Sequence, residues 1–141
     1  MTDSSNMLNL LEDLLARAKA KGADAADAVH IESQSLAVAQ RLGNPEKLER
    51  SESADIGLRA LVGKRQAIVS SSDINPDALD ELVERVVAMA KSVPEDPYCG
   101  LAEPDQLATK FVDVDSCDPS EPTTETLVDW ANRAEESARA I

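Results

Sequence analysis

The sequence predicts an α/β fold of the α+β kind: an antiparallel, hairpin-containing sheet packed against two to three helices. Three observations predict it. Apolar residues recur at three- and four-residue spacing over residues 5–21, which is one stripe on a helix. The period then falls to two, and Ile56, Leu58, Ala60 and Val62 alternate with Gly57, Arg59 and Leu61. Helical spacing returns after Asn75-Pro76 and again after Pro122.

The first helix is expected from about Ser5 to Lys21, with Met7, Leu8, Leu11, Leu14, Leu15 and Ala18 as its apolar face. Ser4 or Ser5 can cap its start, and Gly22 can take the left-handed position that ends it. Val29 and Ile31 then share one strand face, with His30 and Glu32 on the other. Leu36 and Val38 fall out of phase with that pair, so a bulge or a break is expected near Gln34. Gly43-Asn44-Pro45 reads as a turn, and Leu48–Ser53 as a polar edge strand. Gly63-Lys64 suits a two-residue hairpin turn with glycine at the φ > 0 position of type II′. Asn75 is placed to cap a second helix with Pro76 at its first position. Its inner face is Leu79, Leu82, Val83, Val86, Met89 and Ala90, and it stops before Val93-Pro94. Residues 94–120 form an acidic, proline-rich irregular segment, with a short strand expected at Phe111, Val112 and Val114. Ser120-Glu121-Pro122 opens a third helix with Leu127, Val128, Ala131, Ala134, Ala138 and Ile141 on its inner face. No terminating residue follows, so residues 1–141 are expected to be a fragment of something longer, cut within or just after a helix.

A length of 141 residues suits one domain. The only aromatic residues are Tyr98, Phe111 and Trp130, so the core must be aliphatic. The net charge is −13, which opposes nucleic-acid phosphate and anionic lipid. Between Ser92 and Asp129 ten acids face one base, Lys110, so that stretch carries −9 of the total. No run approaches the ~20 apolar residues of a membrane span. Met1-Thr2-Asp3-Ser4-Ser5 has neither a basic nor an apolar leader segment. Cys99 and Cys117 lack a CxxC spacing and read as two free thiols. A cytoplasmic location is expected.

Motifs for catalysis are sparse. His30 is the lone imidazole, whereas a zinc helix of the HExxH type needs two. It reads as a solvent-side or lightly packed strand residue. A nucleophilic pair of His30 with Cys99 or Cys117 is conceivable, but both cysteines fall in loops with no activating neighbour in sequence. Asp113, Asp115 and Asp118 suggest a calcium loop, yet Cys117, Asp118 and Thr124 occupy its fifth, sixth and twelfth positions, where oxygen, glycine and glutamate are required. No phosphate-binding glycine motif accompanies Ser70-Ser71-Ser72. No catalytic, cofactor-binding or metal residue is therefore assigned, and no cofactor is expected in this chain. The run Glu49-Arg50-Ser51-Glu52-Ser53 reads as a solvated strand or as a contact for a ligand or partner.

Several segments in order carry a resemblance. They are Leu48-Glu49-Arg50-Ser51-Glu52-Ser53, the stretch Ile56-Gly57-Leu58-Arg59-Ala60-Leu61-Val62-Gly63-Lys64-Arg65-Gln66, and Ser70-Ser71-Ser72-Asp73. The helix from Pro76, then Pro94-Glu95-Asp96-Pro97-Tyr98-Cys99-Gly100-Leu101 and Asp118-Pro119-Ser120-Glu121-Pro122, complete it. Together they resemble the N-terminal domain of the TldD/PmbA family of metallopeptidase subunits, and its PmbA (TldE) branch in particular. The resemblance implies a cytoplasmic peptidase assembly that pairs a TldD-like and a PmbA-like subunit for proteolysis or peptide maturation. It implies zinc in the TldD-like partner, with a peptide as substrate. This chain has no HExxxH, so no catalytic role transfers to it and the chain alone is expected to be inactive. The competing reading is a stand-alone acidic adaptor or DNA mimic.

Overall fold

A computed structural model describes residues 4–140. The order is helix α1 (Ser4–Ala20), strands β1 (Ala25–Arg41), β2 (Asn44–Val62) and β3 (Arg65–Ser71), and helix α2 (Pro76–Ser92). A short 3-10 turn (Pro104–Gln106) and helix α3 (Thr124–Arg139) follow. The antiparallel sheet has the order β1-β2-β3, which bears out the α+β expectation. The chain forms two compact units. One holds the residues up to Glu32 and Ser53–Leu107; the other holds Ser33–Glu52 and the residues from Ala108 onward.

In the first unit α1 and α2 present one pattern. Met7, Leu10, Leu11, Leu14, Leu15 and Ala18 repeat the spacing of Leu79, Leu82, Val83, Val86, Val87 and Ala90. Positions i, i+3, i+4, i+7, i+8 and i+11 make a single stripe on a 3.6-residue helix. This corrects two expected core residues. Leu8 and Met89 lie beside their stripes and are exposed, while Leu10 and Val87 face inward. The stripes close over Ile56, Leu58, Ala60 and Ala67. Across the rim Arg17 Nη1 donates to Asp80 at 2.8 Å and Lys21 Nζ to Glu84 at 2.7 Å. These pairs are exposed and stabilise only modestly.

The helix ends follow local chemistry. Gly22, at φ +103°, ends α1: Ala23 N–H donates to the Ala18 carbonyl and Gly22 N–H to that of Lys19, both at 3.0 Å. That pair of bonds is a Schellman closure. Ser4 and Ser5 lie inside the first turn rather than before it. The α2 start differs from expectation in one detail: the Asn75 side chain makes no capping bond. Pro76 and Asp77 begin the helix, and Asp73 Oδ1 accepts the Asn75 N–H at 2.9 Å.

The strands correct the expected phase. Val29 and Ile31 are exposed, while Ala26 and Ala28 pack on the core. The small alanines, not the larger branched residues, hold the inward parity. Leu36 and Val38 are half-buried on the same even parity. The apparent slip at Gln34 vanishes, and β1 runs unbroken.

In the second unit the β1–β2 turn is Leu42-Gly43, with φ of +53° and +74°. Asn44 and Pro45, expected in a turn, begin β2 instead. Two positive φ values are those of a type I′ turn, whose twist matches a two-residue hairpin. The Glu135 carboxylate on α3 accepts both turn N–H groups, that of Gly43 at 2.9 Å. The segment Phe111–Val114 forms no strand. Asp113 Oδ1 accepts the Asp115 N–H at 3.0 Å, a local turn that competes with extended pairing. Helix α3 starts at Thr124 rather than at Ser120, with the Thr123 side chain accepting the Thr126 N–H. Ser120 is instead bound to Asp118, whose carboxyl this holds below its usual range, first through the hydroxyl and then through the backbone N–H. Leu127, Val128 and Ala131 are half-buried, whereas Ala134 and Ala138 are exposed; Ile141 lies outside the described residues.

The two turns give opposite expectations. Gly63 has φ +59° with open space around it, so Gly63→Val should cost about 1–3 kcal/mol from backbone strain alone. Leu42→Asn creates the favoured Asn-Gly pair and should stabilise by up to ~1 kcal/mol. Urea midpoints of the two variants, moving in opposite directions, check both.

Candidate functional site

The helices cover one face of the sheet, and alternation sends the intervening side chains to the other. That second face carries Asp27, Val29 and Ile31 from β1, Gly57 and Arg59 from β2, and Gln66, Ile68 and Ser70 from β3. Arg59 is its polar centre. Its Nε donates to Asp27 Oδ1 and Oδ2 at 2.9 and 3.1 Å, its Nη2 donates to Oδ2, and its Nη1 reaches Gln66 Oε1 at 3.4 Å. Hydrogen bonding to Asp27 raises the Arg59 pKa, partly offset by desolvation. The pair bounds a shallow groove of about 380 Å³ lined also by Ala28, Val29, Gly57 and Ile68. Gly57 keeps it open: a Cβ there would lie 3.3 Å from Val29 Cγ1. Val29 and Ile68 are 51% and 65% exposed, so the groove is both apolar and accessible.

The Pro94–Leu101 run folds back onto the Gly63-Lys64 turn. Asp96 N–H donates to the Lys64 carbonyl at 2.7 Å, and Lys64 Nζ donates to the Cys99 carbonyl at 3.1 Å. Arg65 pairs with Glu95 at 3.1 Å. Cys99 is buried, while Tyr98 is 95% exposed. The motif therefore acts as a clasp on the hairpin.

The second unit has its own groove of about 400 Å³, lined by Gln34, Ser35, Leu36, Arg50, Ser120, Glu121, Pro122 and Leu127. The Glu49–Ser53 run is here an exposed stretch of β2. Arg50 donates from Nε and Nη2 to Glu52 Oε1 at 2.9 and 2.6 Å. Lys47 pairs with Glu49 and, chiefly by hydrogen bonding, holds that carboxyl below its usual range. Arg50 of the run and Lys47 just before it are thus each engaged by a neighbour two residues away.

The other sequence candidates are scattered. His30 is half-buried on β1 with Nε2 4.0 Å from Glu32 Oε1. Cys99 is a buried free thiol of the first unit and Cys117 an exposed one of the second. Among the described residues no group of three or more His, Cys, Asp and Glu side chains converges. The open sheet face was not legible in the sequence: alternation puts Val29 and Ile31 on one strand face, and nothing in it says that this face is left uncovered. It missed Glu135 because nothing local ties that residue to a turn 92 positions away.

The fold and this surface define a two-layer α+β domain with helices on one side of its sheet and an accessible apolar face on the other. Residues 26–90 match the family described as PmbA/TldA metallopeptidase domain 1. The Metalloprotease PmbA of Escherichia coli O157:H7 is 28% identical over 124 residues, 88% of this chain and 27% of that protein. The Metalloprotease PmbA homolog of Haemophilus influenzae is 28% identical over 103 residues, 73% of this chain and 23% of its own length. Two crystal structures share the fold. A protein of Bacteroides thetaiotaomicron named for modulation of DNA gyrase has a TM-score of 0.71 at 18% identity, over 79% of this chain and 25% of its own. TldE from Thermococcus kodakarensis has a TM-score of 0.68 at 20% identity, over 92% of this chain and 30% of its own. The resemblance seen in the sequence is borne out: residues 26–90 match the first-domain family model, and the chain is similar to proteins of the PmbA/TldE branch. It spans about a quarter of the length of the curated relatives it matches.

Arg59 and Asp27 are partly exposed, so their coupling should be small. A double-mutant cycle of Asp27→Asn with Arg59→Gln should give about 0.5–1 kcal/mol at low salt and less in 1 M NaCl. Urea unfolding of the four proteins measures it.

Proposed function

We propose that this chain is the non-catalytic first domain of a PmbA/TldE-like subunit in a zinc-dependent TldD/TldE-type peptidase assembly acting in proteolysis or peptide maturation. The observation that carries the reading is the family match over residues 26–90, which spans all three strands and most of α2. Zinc then resides in a TldD-like partner, and a peptide is the substrate of the pair. A cytoplasmic site of action goes with this reading, and among the described residues no helix is long and apolar enough to cross a membrane.

Amide hydrolysis needs an activated nucleophile or a metal-bound water with an electrophilic stabiliser beside it. His30 Nε2 lies 4.0 Å from Glu32 Oε1; in this reading the domain's contribution is structural, holding surfaces on which a subunit or a peptide can seat.

An unstructured peptide is incubated with the chain, with a full-length PmbA-like subunit carrying it, and with that subunit plus a TldD-like partner and zinc. Cleavage is expected in the third sample alone and should stop on chelation. Chelator-resistant cleavage in either of the first two would overturn the reading and return attention to Cys99 and Cys117.

A further inference from the structure

The tip of the β1–β2 hairpin has the form of an anion receptor. Leu42 and Gly43 stand at φ +53° and +74°, and successive N–H groups in such a turn make an anion-binding concavity. The Glu135 carboxylate fills it with one oxygen to each donor. Oε1 accepts the Leu42 N–H, and Oε2 accepts the Gly43 N–H at 2.9 Å. The left-handed conformation is unfavourable for a residue with a side chain, and Leu42 is exposed, so packing does not hold it there. The turn's other side-chain bond, from Asn44 Nδ2 to the Leu42 carbonyl at 3.1 Å, lies within the hairpin.

Packing between α3 and the hairpin is thin. Among the described residues the second unit has no buried side chain; the buried core lies in the first unit. Leu127, Val128 and Ala131 on α3, and Leu36 and Val38 on β1, reach only half-burial. Arg41, Lys47 and Arg50 pair with Glu46, Glu49 and Glu52 on the hairpin, and Arg133 pairs with Asp129 on α3. Those cations are engaged within their own elements, whereas Glu135 reaches across. Its two bonds also join the turn, which lies inside the family-matched residues 26–90, to a helix outside that match.

We infer that Glu135 is a latch: the hairpin tip is a carboxylate receptor, α3 docks on the hairpin by filling it, and vacating it releases α3 as a unit. Two donors side by side need two acceptors. A carboxamide in place of the carboxylate satisfies one N–H and turns its own NH2 toward the other, which leaves the turn with an unpaired donor. A helix held by packing would lose little from so small a change, whereas a latched helix loses its dock. Release uncovers Leu36 and Val38 and leaves a vacant receptor that takes a small carboxylate. The opening is sub-global, because α1, α2 and the sheet bury the core of the first unit without α3.

Residue-resolved amide exchange of the full 141-residue chain compares the unchanged protein with Glu135→Gln and with Glu136→Gln, a change at the exposed neighbouring acid. Glu135→Gln should speed exchange of the Leu42 and Gly43 amides and of the α3 amides from Leu127 to Glu135 together, by about tenfold or more. Ala67, Val69 and Val86 of the first unit should keep their rates. Glu136→Gln removes the same charge and should change none of them. In Glu135→Ala, sodium acetate should return the Leu42 and Gly43 amide resonances toward their original positions, and sodium chloride at equal ionic strength should not. Turn amides that open while those of α3 stay protected overturn the proposal, because packing then holds the helix. So do α3 amides that already exchange freely in the unchanged protein, since no latch is then closed. An equal response to Glu136→Gln, no response to Glu135→Gln, loss of protection at Val86, or acetate acting no differently from chloride each overturns it as well.

Discussion

The inner face of β2 is the constraint on which the first unit depends. Ile56, Leu58 and Ala60 have no solvent exposure, and every other core element is placed by the need to cover them. Two helices with the same six-position stripe do so, one entering the sheet and one leaving it. Burying a branched aliphatic side chain contributes about 1.5–3 kcal/mol, and this core has no ring to contribute more. Tyr98, Phe111 and Trp130 are all exposed, at 95%, 91% and 54%. In this chain the aromatic residues belong to surfaces.

Covering one face leaves the other. The open side of the sheet retains an ion pair, a glycine notch and exposed Val29, Ile31 and Ile68. It is bounded at one end by the clasp that Asp96 and Cys99 make on the Gly63-Lys64 turn. The conspicuous Pro94–Leu101 sequence is thereby explained in physical terms: it fastens the hairpin end and buries Cys99.

Much of the fold was legible in the sequence because the relevant signals are local. The Gly63-Lys64 hairpin, the Gly22 stop and the Val93-Pro94 stop each depend on residues within a few positions. The misreadings came from tertiary effects. Alternation puts Val29 and Ile31 on one face of β1, but it is Ala26 and Ala28 that pack on the core, which alternation alone does not decide. The type I′ turn falls on Leu42-Gly43, and Glu135, far along the chain, accepts both of its N–H groups. The expected strand at Phe111 gave way to the Asp113 turn. Of the candidate site, the sequence contained the residues of the sheet face but not its openness, which is a property of what packs against the opposite side.

The central claim is that the sheet is closed on one side and free along β3. Residue-resolved amide hydrogen exchange of the chain tests it most directly. Ala67 and Val69, bonded to β2, should exchange slowly, while Ile68 and Ser70, alternating with them, exchange near the rate of an open strand edge. Uniform protection across residues 66–71 would contradict the account by showing the edge already occupied, and uniform exchange would contradict the register itself.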